Sequence, residues 1–436
     1  MKTDLFLDFL PMNTIEHRGF VLYFESPLRT SPSKTAGTST TRTMSGRLLS
    51  KRVLTFALLP MLLAASLGQV ASAQEIQLRP AQFIYAGAAY LDVGDYAIPC
   101  VADWNGDGRK DLLVGYRSAD KVALYLNGGS DNSPAFTNFV NLQAGGVDIH
   151  LPSTSCGAPA PFVCDYDGDG KRDLLVGDGY YGYVYFYHNT NSDATPILDT
   201  GVRLMVGSSP LTVTNRATPY IYDWDGDGLK DLLCGNGDGN VYFFKNIGTA
   251  QSPAYAAGTR IQAGGVDLNL GIRSVVRMFD WNGDGVKDLV GSSQTGVYWC
   301  KNVGTDSSPI LLAPVALRVP VSGMGLTPIN IGSRMRLDLV DWNDDGVMDL
   351  LLGNANGNIA YFEGYRFAFT AIAGQSGQCA MQWNSASYLN YHVLAGQSIN
   401  AMTHMVATNL PSGGKTTRWT NSISESEQFY RLQIAQ

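Results

Sequence analysis

The sequence predicts an all-β protein in which a five-bladed β-propeller of four-stranded blades precedes a small C-terminal β-sandwich. Three observations support this prediction. An acidic motif occurs five times in the chain. Each copy is flanked by short runs of β-branched and aromatic residues that end at Gly, Asn or Asp, which is typical of strands and turns. No stretch of comparable length keeps a helical period.

The repeat unit consists of the acidic motif and four extended runs. In the third copy, PYIY precedes the motif, DLLCG closes it, and VYFFKN follows a GNGDGN turn. A Ser-Pro step then leads into a fourth run. Four such runs form one antiparallel sheet, and small sheets arranged radially make a propeller.

The number of motifs and the order of the runs predict how the ring closes. Residues 80–92 resemble the fourth run of a repeat, and the last repeat lacks such a run. The N-terminal strand is therefore expected to complete the last blade, which leaves the ring without exposed edges. We expect the propeller to occupy residues 80–364. Its five motifs begin at Asp103, Asp165, Asp223, Asp280 and Asp341.

The two ends of the chain differ from the repeats. Residues 366–436 lack the motif and alternate as short strands, so we expect a small sandwich of the fibronectin-III-like kind, slightly short for that class. Residues 44–73 combine a basic segment, an apolar core and the small-residue site Ala71-Ser72-Ala73, as in a secretory signal peptide. The apolar core is shorter than the roughly 20 residues of a spanning helix, so cleavage after Ala73 is expected.

The signal predicts export and therefore a secreted, extracellular or cell-surface protein of bacterial type. We expect residues 1–43 to be an unstructured upstream extension with Met44 as the true start, a long basic segment of the signal being the alternative. The chain has a formal net charge of −7 and no basic stripe, so nucleic acid is not an expected partner. No membrane span is expected after cleavage, and we expect a monomer.

Six cysteines leave the disulfide pattern open. An exported protein could pair some of them, since Cys156 and Cys164 are close in sequence and Cys100 and Cys164 fall on equivalent runs. For Cys234 and Cys300, which lie inside apolar runs, burial as small hydrophobic residues is the preferred interpretation.

The acidic motif has the chemistry of a calcium site. Oxygen-bearing side chains occupy loop positions 1, 3, 5 and 9, and the seventh residue would add its backbone carbonyl, as Ca²⁺ prefers six to eight oxygens. We expect about five mainly structural calcium ions. The predicted ligands are Asp103, Asn105, Asp107, Arg109 and Asp111; Asp165, Asp167, Asp169, Lys171 and Asp173; Asp223, Asp225, Asp227, Leu229 and Asp231; Asp280, Asn282, Asp284, Val286 and Asp288; Asp341, Asn343, Asp345, Val347 and Asp349.

Three other interpretations of the motif are weaker. An EF-hand needs flanking helices and an acid at loop position 12, where these loops carry other residues. A single active site needs one catalytic carboxylate pair, so five near-identical copies argue against this interpretation. One copy alone could be a surface Asx turn, but five copies that all keep the ninth-position Asp argue against it.

The pattern DxDGDGxxDLxxG followed by GxVYxFxN resembles the FG-GAP/VCBS-type repeat, also seen in the integrin α-subunit head. The resemblance implies calcium in the loop between the first and second strands, on one face, with ligands met on the opposite face. The seven repeats of integrins are not present, so no integrin-type function is carried over. The tail resembles small sandwich domains that end many bacterial secreted proteins.

Arginines are expected on that opposite face. The residues seven positions before each motif are Tyr96, Ala158, Arg216, Arg273 and Arg334, so three arginines should converge near the central channel. Tyr180 and Tyr181 lie in a neighbouring turn. Arginines with exposed tyrosines suit acidic or neutral glycans. The alternative is that each arginine pairs with an Asp or caps carbonyl groups.

These observations favour a non-enzymatic, calcium-stabilised module that binds an extracellular glycan or protein, as an adhesion module would. A polysaccharide lyase or hydrolase on a propeller scaffold is the alternative, with His150 as the one ligand-face histidine to test. A purely architectural surface protein is a third possibility.

Overall fold

The computed structural model places strands and their connections, with no helix, in the part of the chain that it describes. Within that part, nothing therefore has the form of an apolar membrane-crossing helix. The predicted signal peptide, residues 44–73, lies outside it. The described residues are 15–17, 20–24, 75–151, 158–375, 378–396, 404–422 and 429–435.

The first six strands are short and lie before the first acidic loop. They are β1 (Ile15–His17), β2 (Phe20–Phe24), β3 (Ile76–Leu78), β4 (Gln82–Phe83), β5 (Tyr85–Ala86) and β6 (Ala89–Tyr90).

The next strands form the first two four-stranded antiparallel sheets, each followed by a small two-stranded hairpin. Sheet one consists of β7 (Ile98–Ala102), β8 (Asp111–Tyr116), β9 (Lys121–Tyr125) and β10 (Val140–Asn141), with the hairpin β11 (Gln143–Ala144) and β12 (Val147–Asp148). Sheet two consists of β13 (Ala160–Cys164), β14 (Asp173–Gly177), β15 (Val184–Tyr187) and β16 (Val202–Arg203), with β17 (Met205–Val206) and β18 (Ser209–Pro210).

The same pattern continues in sheets three to five, except that the last sheet borrows its outer strand. Sheet three is β19 (Thr218–Tyr222), β20 (Asp231–Gly235), β21 (Val241–Phe244) and β22 (Thr259–Arg260), with β23 (Gln262–Ala263) and β24 (Val266–Asp267). Sheet four is β25 (Val275–Phe279), β26 (Asp288–Ser292), β27 (Val297–Cys300) and β28 (Val315–Ala316), with β29 (Arg318–Val321) and β30 (Gly325–Pro328). Sheet five is β31 (Arg336–Val340), β32 (Asp349–Gly353), β33 (Ile359–Phe362) and β4.

Hydrophobic cores lie between neighbouring sheets. Successive residues of a strand point to opposite faces, so Leu112 packs toward sheet five and Leu113 toward sheet two. Burial on both faces explains why each second strand is an unbroken apolar run. The innermost strand of each sheet contacts those of both neighbours, and β31 contacts β7. The sheets therefore form a closed ring, and the predicted all-β propeller architecture is confirmed.

The N-terminal strand completes the last sheet, as predicted. Gln82 and Phe83 of β4 pair with Tyr361 and Ala360 of β33. The strand β3 also pairs with β34 (Gly364–Arg366), which directly follows sheet five. Both pairings bring the two ends of the ring together and cover what would otherwise be an edge strand.

The C-terminal residues form two further sheets that share one core. One sheet has the order β35-β36-β39 and the other contains β37, β38 and β40. Trp383 and Tyr391 are fully buried between them, and Trp419 is partly buried. A likeness to fibronectin-III domains stays a prediction. The bounds are β35 (Phe369–Gln375), β36 (Gln378–Asn384), β37 (Asn390–Gly396), β38 (His404–Pro411), β39 (Thr416–Ser422) and β40 (Phe429–Ile434).

Part of residues 1–43 is ordered in the structure, which differs from the expectation of an unstructured extension. The strand β2 pairs in parallel with β40, and β1 pairs with β2. The FVLYF segment is rich in β-branched and aromatic residues, which explains why it adds to a sheet. Whether translation begins upstream of Met44 stays a prediction.

Four cysteines whose side chains the structure describes are thiols. Cys100, Cys164, Cys234 and Cys300 are free, so the first two do not pair with each other. Burial raises the pKa of Cys100, Cys234 and Cys300 to about 12, which makes their thiols poor nucleophiles. Cys156 lies outside the described residues.

Candidate metal loops and the arginine pocket

All five acidic loops occupy equivalent places in the ring. Each follows the innermost strand of its sheet and ends at the first residue of the second strand, as Asp223 follows β19 and Asp231 opens β20. The loops therefore lie together at the edge of the ring where the innermost strands end. The sequence-predicted loop ligands are all at this edge.

The ninth-position Asp anchors each loop to its sheet. Asp231 is fully buried and accepts backbone N–H bonds from Trp224 at 3.0 Å and Asn246 at 2.7 Å. Asp111, Asp173 and Asp349 each accept the equivalent pair of bonds. Burial raises the pKa of these carboxyls, to about 7 at Asp349.

Carboxylate oxygens converge in the second and third loops. The oxygens of Asp165, Asp167 and Asp173 lie within 4.8 Å of one another, and so do those of Asp223, Asp225 and Asp231. One oxygen each of Asp165 and Asp225 is buried with no hydrogen-bond partner. Converging hard oxygens with unsatisfied lone pairs fit a calcium ion.

The first, fourth and fifth loops have Asn at position 3. In each, the Asn Nδ2 donates to the Asp at position 5, for example Asn282 to Asp284 at 2.9 Å. The first-position Asp accepts two backbone N–H groups of its own loop, as Asp280 does from Asp284 at 3.0 Å and Gly285 at 2.9 Å. These bonds hold the loops in one conformation. Because position 3 is Asn, each of these loops has three carboxylates at positions 1, 3, 5 and 9, whereas loops two and three have four.

Basic side chains reach into the loops, which the sequence-based reasoning missed. Lys245 contacts Asp225 and lies 2.7 Å from Asp227, and Lys301 lies 3.0 Å from Asp284. In the second loop His188 Nε2 takes this place, 3.3 Å from Asp169. The available signal was the residue before the Asn that ends the third run, as in KN and HN.

The eighth loop position carries a second set of basic residues, which bridge neighbouring loops. Arg172 lies 3.4 Å from Asp103 of the preceding loop, and Lys230 lies 3.8 Å from Asp165. Lys110 contacts Asp344 of the fifth loop and so joins the last loop to the first. These bridges link loops five, one, two and three in that order. Lys287 of loop four pairs with Asp306 instead, and loop five has Met348 at the eighth position.

At the opposite edge, where the innermost strands begin, a small cavity of about 20 Å³ lies at the hub. As predicted, it brings together Arg216, Arg273 and Arg334, with Tyr96 and Ala158 from the other two repeats. Arg336, which the sequence-based reasoning did not single out, is a fourth arginine in its wall. The remaining lining residues are Ile98, Ala217 and Thr218. We call this cavity the arginine pocket.

The backbone at the pocket has an uncommon conformation. Tyr96, Arg216, Arg273 and Arg334 have positive φ angles of 49°, 47°, 68° and 63°. Residues other than Gly rarely adopt φ angles in this region, whereas Gly adopts them at no steric cost. The connections are held there by close packing, since a Cβ on Gly177 would lie 2.0 Å from the carbonyl oxygen of Ala217.

Stacking and hydrogen bonds hold three of the arginines in place. Arg334 stacks on Tyr96 with its guanidinium carbon 3.9 Å from the ring centre, and Arg273 Nη1 donates to Gln294 Oε1 at 3.0 Å. Arg336 is buried and donates to the carbonyl oxygen of Arg273 at 2.7 Å. Burial and its arginine neighbours lower the pKa of Arg336 well below its usual range.

A buried ion pair closes the channel beneath the pocket. Arg277 and Asp338 are each the third residue of their innermost strands, and their side chains are paired at 2.8 Å. The signal in the sequence was a pair of opposite charges at equivalent places in two apolar runs, VVRMF and RLDLV.

Tyr180 and Tyr181 lie beside the pocket but do not line it. They are about half exposed, in the turn between β14 and β15. Thr212 Oγ1 donates to the carbonyl oxygen of Tyr181 at 2.9 Å, which fixes this turn against the connection that leads to Arg216. His150 is exposed, pairs with Lys121 through a backbone bridge and is not in the pocket wall.

Residues 223–291 match the family described as FG-GAP-like repeat. This stretch, which carries the third and fourth acidic loops, is similar to that family. Over 156 residues the chain is 28% identical to Integrin alpha-4 of Xenopus laevis. That alignment covers 33% of this chain and 14% of the integrin, so the chain spans a small part of this curated relative.

Two solved structures match most of this chain at low sequence identity. A lectin of Agrocybe aegerita, described as recognising non-reducing terminal N-acetylglucosamine, has 14% identity and a TM-score of 0.34. The alignment covers 78% of this chain and 88% of the lectin. The Tc holotoxin pore of Photorhabdus luminescens has the same identity and TM-score, covering 74% of this chain and 16% of the toxin chain.

Proposed function

We propose that this protein is a non-enzymatic, calcium-stabilised module that binds an extracellular glycan or protein. The observation that carries the proposal is the separation of the acidic loops from the arginine pocket, at opposite ends of the innermost strands. In this proposal the acidic residues stabilise the fold of the ring. The pocket offers guanidinium groups for binding, and its lining residues include no carboxylate, histidine or cysteine that could serve as a nucleophile or general base.

The calcium ions in this proposal are structural. Each loop would hold one ion through its positions 1, 3, 5 and 9 and the carbonyl of position 7. A bound ion supplies positive charge to the clustered carboxylates and joins the ends of the first two strands. We expect about five ions, with tighter binding in loops two and three because these carry an additional carboxylate.

The place of action is outside the cell or on its surface. The predicted signal peptide and the likeness to part of an integrin α-subunit support this location. The FG-GAP repeats themselves support a binding or adhesion role.

The test is a glycan array probed with the chain from residue 75 onward, with calcium and with a chelator. We expect binding to a defined group of glycans that requires calcium. The Arg216→Ala, Arg273→Ala and Arg334→Ala triple variant should lose it, with circular dichroism as the control for folding. An unchanged array pattern for the triple variant would place the ligand elsewhere. Release of sugar products from any polysaccharide would overturn the non-enzymatic part.

A further inference from the structure

We propose that the arginine pocket binds one oxyanion group, the carboxylate or sulfate of an acidic sugar. The proposal rests on the proposed function, because it names the ligand class of the same site.

The charge of the pocket wall has one sign. Four guanidinium groups line it, from Arg216, Arg273, Arg334 and Arg336, and no acidic side chain does. Asp95 acts on Arg334 from outside the wall, and it is already paired with Arg117 at 2.7 Å. Four cations at one small cavity repel one another, so an anion placed among them is stabilised by all four. Guanidinium forks match carboxylate and sulfate oxygens with two parallel hydrogen bonds.

The size of the pocket admits one small group. Its volume of about 20 Å³ is close to the space that a single water-sized group fills. A whole sugar ring cannot enter, whereas one oxygen of a carboxylate or sulfate that projects from a ring can. Because Arg277 and Asp338 close the channel below, the group can enter only from the pocket side.

The backbone aims the arginines at this point. Positive φ angles at Arg216, Arg273 and Arg334 cost free energy that Gly in the same place would avoid. Residues held in such backbone conformations often belong to binding sites, where the fold fixes the backbone before the ligand arrives. The arginines are therefore preorganised.

The tyrosines beside the pocket favour a sugar over a free ion. Tyr180 and Tyr181 are about half exposed, and Tyr181 stacks on Tyr183 with ring centres 5.5 Å apart. Thr212 holds this turn at the connection before Arg216. Exposed rings next to an anion site can pack against the apolar face of a sugar whose acidic group enters the pocket.

The experiment measures binding of glucuronate, glucose, glutamate and inorganic sulfate to the full chain by calorimetry, with calcium present. We expect glucuronate to bind, glucose not to bind, and glutamate to bind at least about tenfold more weakly than glucuronate. The Arg216→Gln, Arg334→Gln double variant should weaken glucuronate binding about tenfold or more. Arg260→Gln, which changes an exposed arginine paired with Asp267 outside the pocket, is the matched control and should leave it unchanged.

A second variant separates the two parts of the site. Tyr181→Ala should weaken glucuronate but leave sulfate binding unchanged. Equal affinity for glutamate and glucuronate would overturn the assignment to a sugar. Equal binding of glucuronate by the double variant and the unchanged protein would overturn the pocket itself. If the array detects only neutral glycans that the triple variant still binds, this inference fails while the binding module stands.

Discussion

Arg277 Nε donates to Asp338 Oδ1 at 2.8 Å, and each side chain is only 7% exposed. The backbone N–H of Val101 donates to the other oxygen of Asp338 at 2.7 Å. The Arg277 guanidinium lies 5.1 Å from the ring centre of Phe162 and 5.2 Å from that of Tyr220. These five residues come from β7, β13, β19, β25 and β31. One ion pair is thus the meeting point of all five innermost strands.

Removing one partner of this pair should destabilise the ring strongly. We expect Asp338→Ala to lower the free energy of unfolding by about 3–5 kcal/mol, because Arg277 would be left as an uncompensated buried charge. Denaturant unfolding followed by tryptophan fluorescence measures this. The matched control is Asp267→Ala, whose partner Arg260 is about half exposed, and this variant should unfold at an almost unchanged midpoint.

Replacing both partners gives the complementary result. Arg277→Met with Asp338→Leu removes both charges at similar volume, so most of the loss should be recovered. If the double variant is as unstable as Asp338→Ala, the pair acts through something other than its charges.

The stability of the calcium-free protein should fall as the pH rises from about 4 to 7. Burial raises the pKa of Asp288 to about 6 and that of Asp349 to about 7 in the folded state. The folded protein then holds more protons than the unfolded chain in this range, and the stability that they contribute is lost as the pH passes the folded values. Thermal unfolding in chelator at a series of pH values tests this.

Calcium should reverse that trend, since it binds the ionised carboxylates and its stabilisation grows as they lose their protons. The Asp288→Asn, Asp349→Asn double variant is the control and should flatten the pH dependence in chelator. A calcium-free melting temperature that rises between pH 4 and 7 would contradict the prediction.

Loop three should bind calcium more tightly without its lysine. Lys245 contacts both Asp225 and Asp227, so it must give up these contacts when an ion binds. We expect Lys245→Met to raise the affinity of this loop by about twofold to fivefold. The backbone amide resonances of Gly226 and Gly228 report on this loop alone. Lys121→Met is the control, because Lys121 pairs with Asp148 away from the acidic loops and should change nothing.

The closing strand should be necessary for a soluble ring. A chain that begins at residue 84 lacks β3 and β4, so the apolar strand β33 becomes an open edge. We expect this chain to melt at a lower temperature and to aggregate in size-exclusion chromatography. The chain that begins at residue 75 is the reference. Equal melting temperatures would show that the β4–β33 pairing contributes little.

Repetition made the frame predictable from the sequence. Equivalent positions in successive repeats predicted that the acidic loops lie at one edge of the ring. They also predicted that Arg216, Arg273 and Arg334 lie at the other edge, where these arginines line one cavity. The pairing of Gln82 and Phe83 with the last sheet was predictable for the same reason, since a fourth run was missing there.

Side-chain partners were not predictable in this way. A repeat position fixes how far along the ring axis a residue lies, but not which side chain of the next sheet it meets. The pairing of Arg277 with Asp338 and the reach of Lys245 into its loop depend on that second relationship. Tyr181 lies outside the pocket because its turn rests on the connection before sheet three, a contact that periodicity does not specify.

The pairing of Ile76 with Arg366 has a further consequence. The chain enters and leaves the ring at the same point. The two ends of the ring could therefore be joined by a short linker, and new ends could be opened between any two sheets. Circular permutation succeeds where the ends of a domain are adjacent and the cut falls in an exposed connection. The same adjacency would let the whole ring be inserted into a surface loop of another protein without stretching its host.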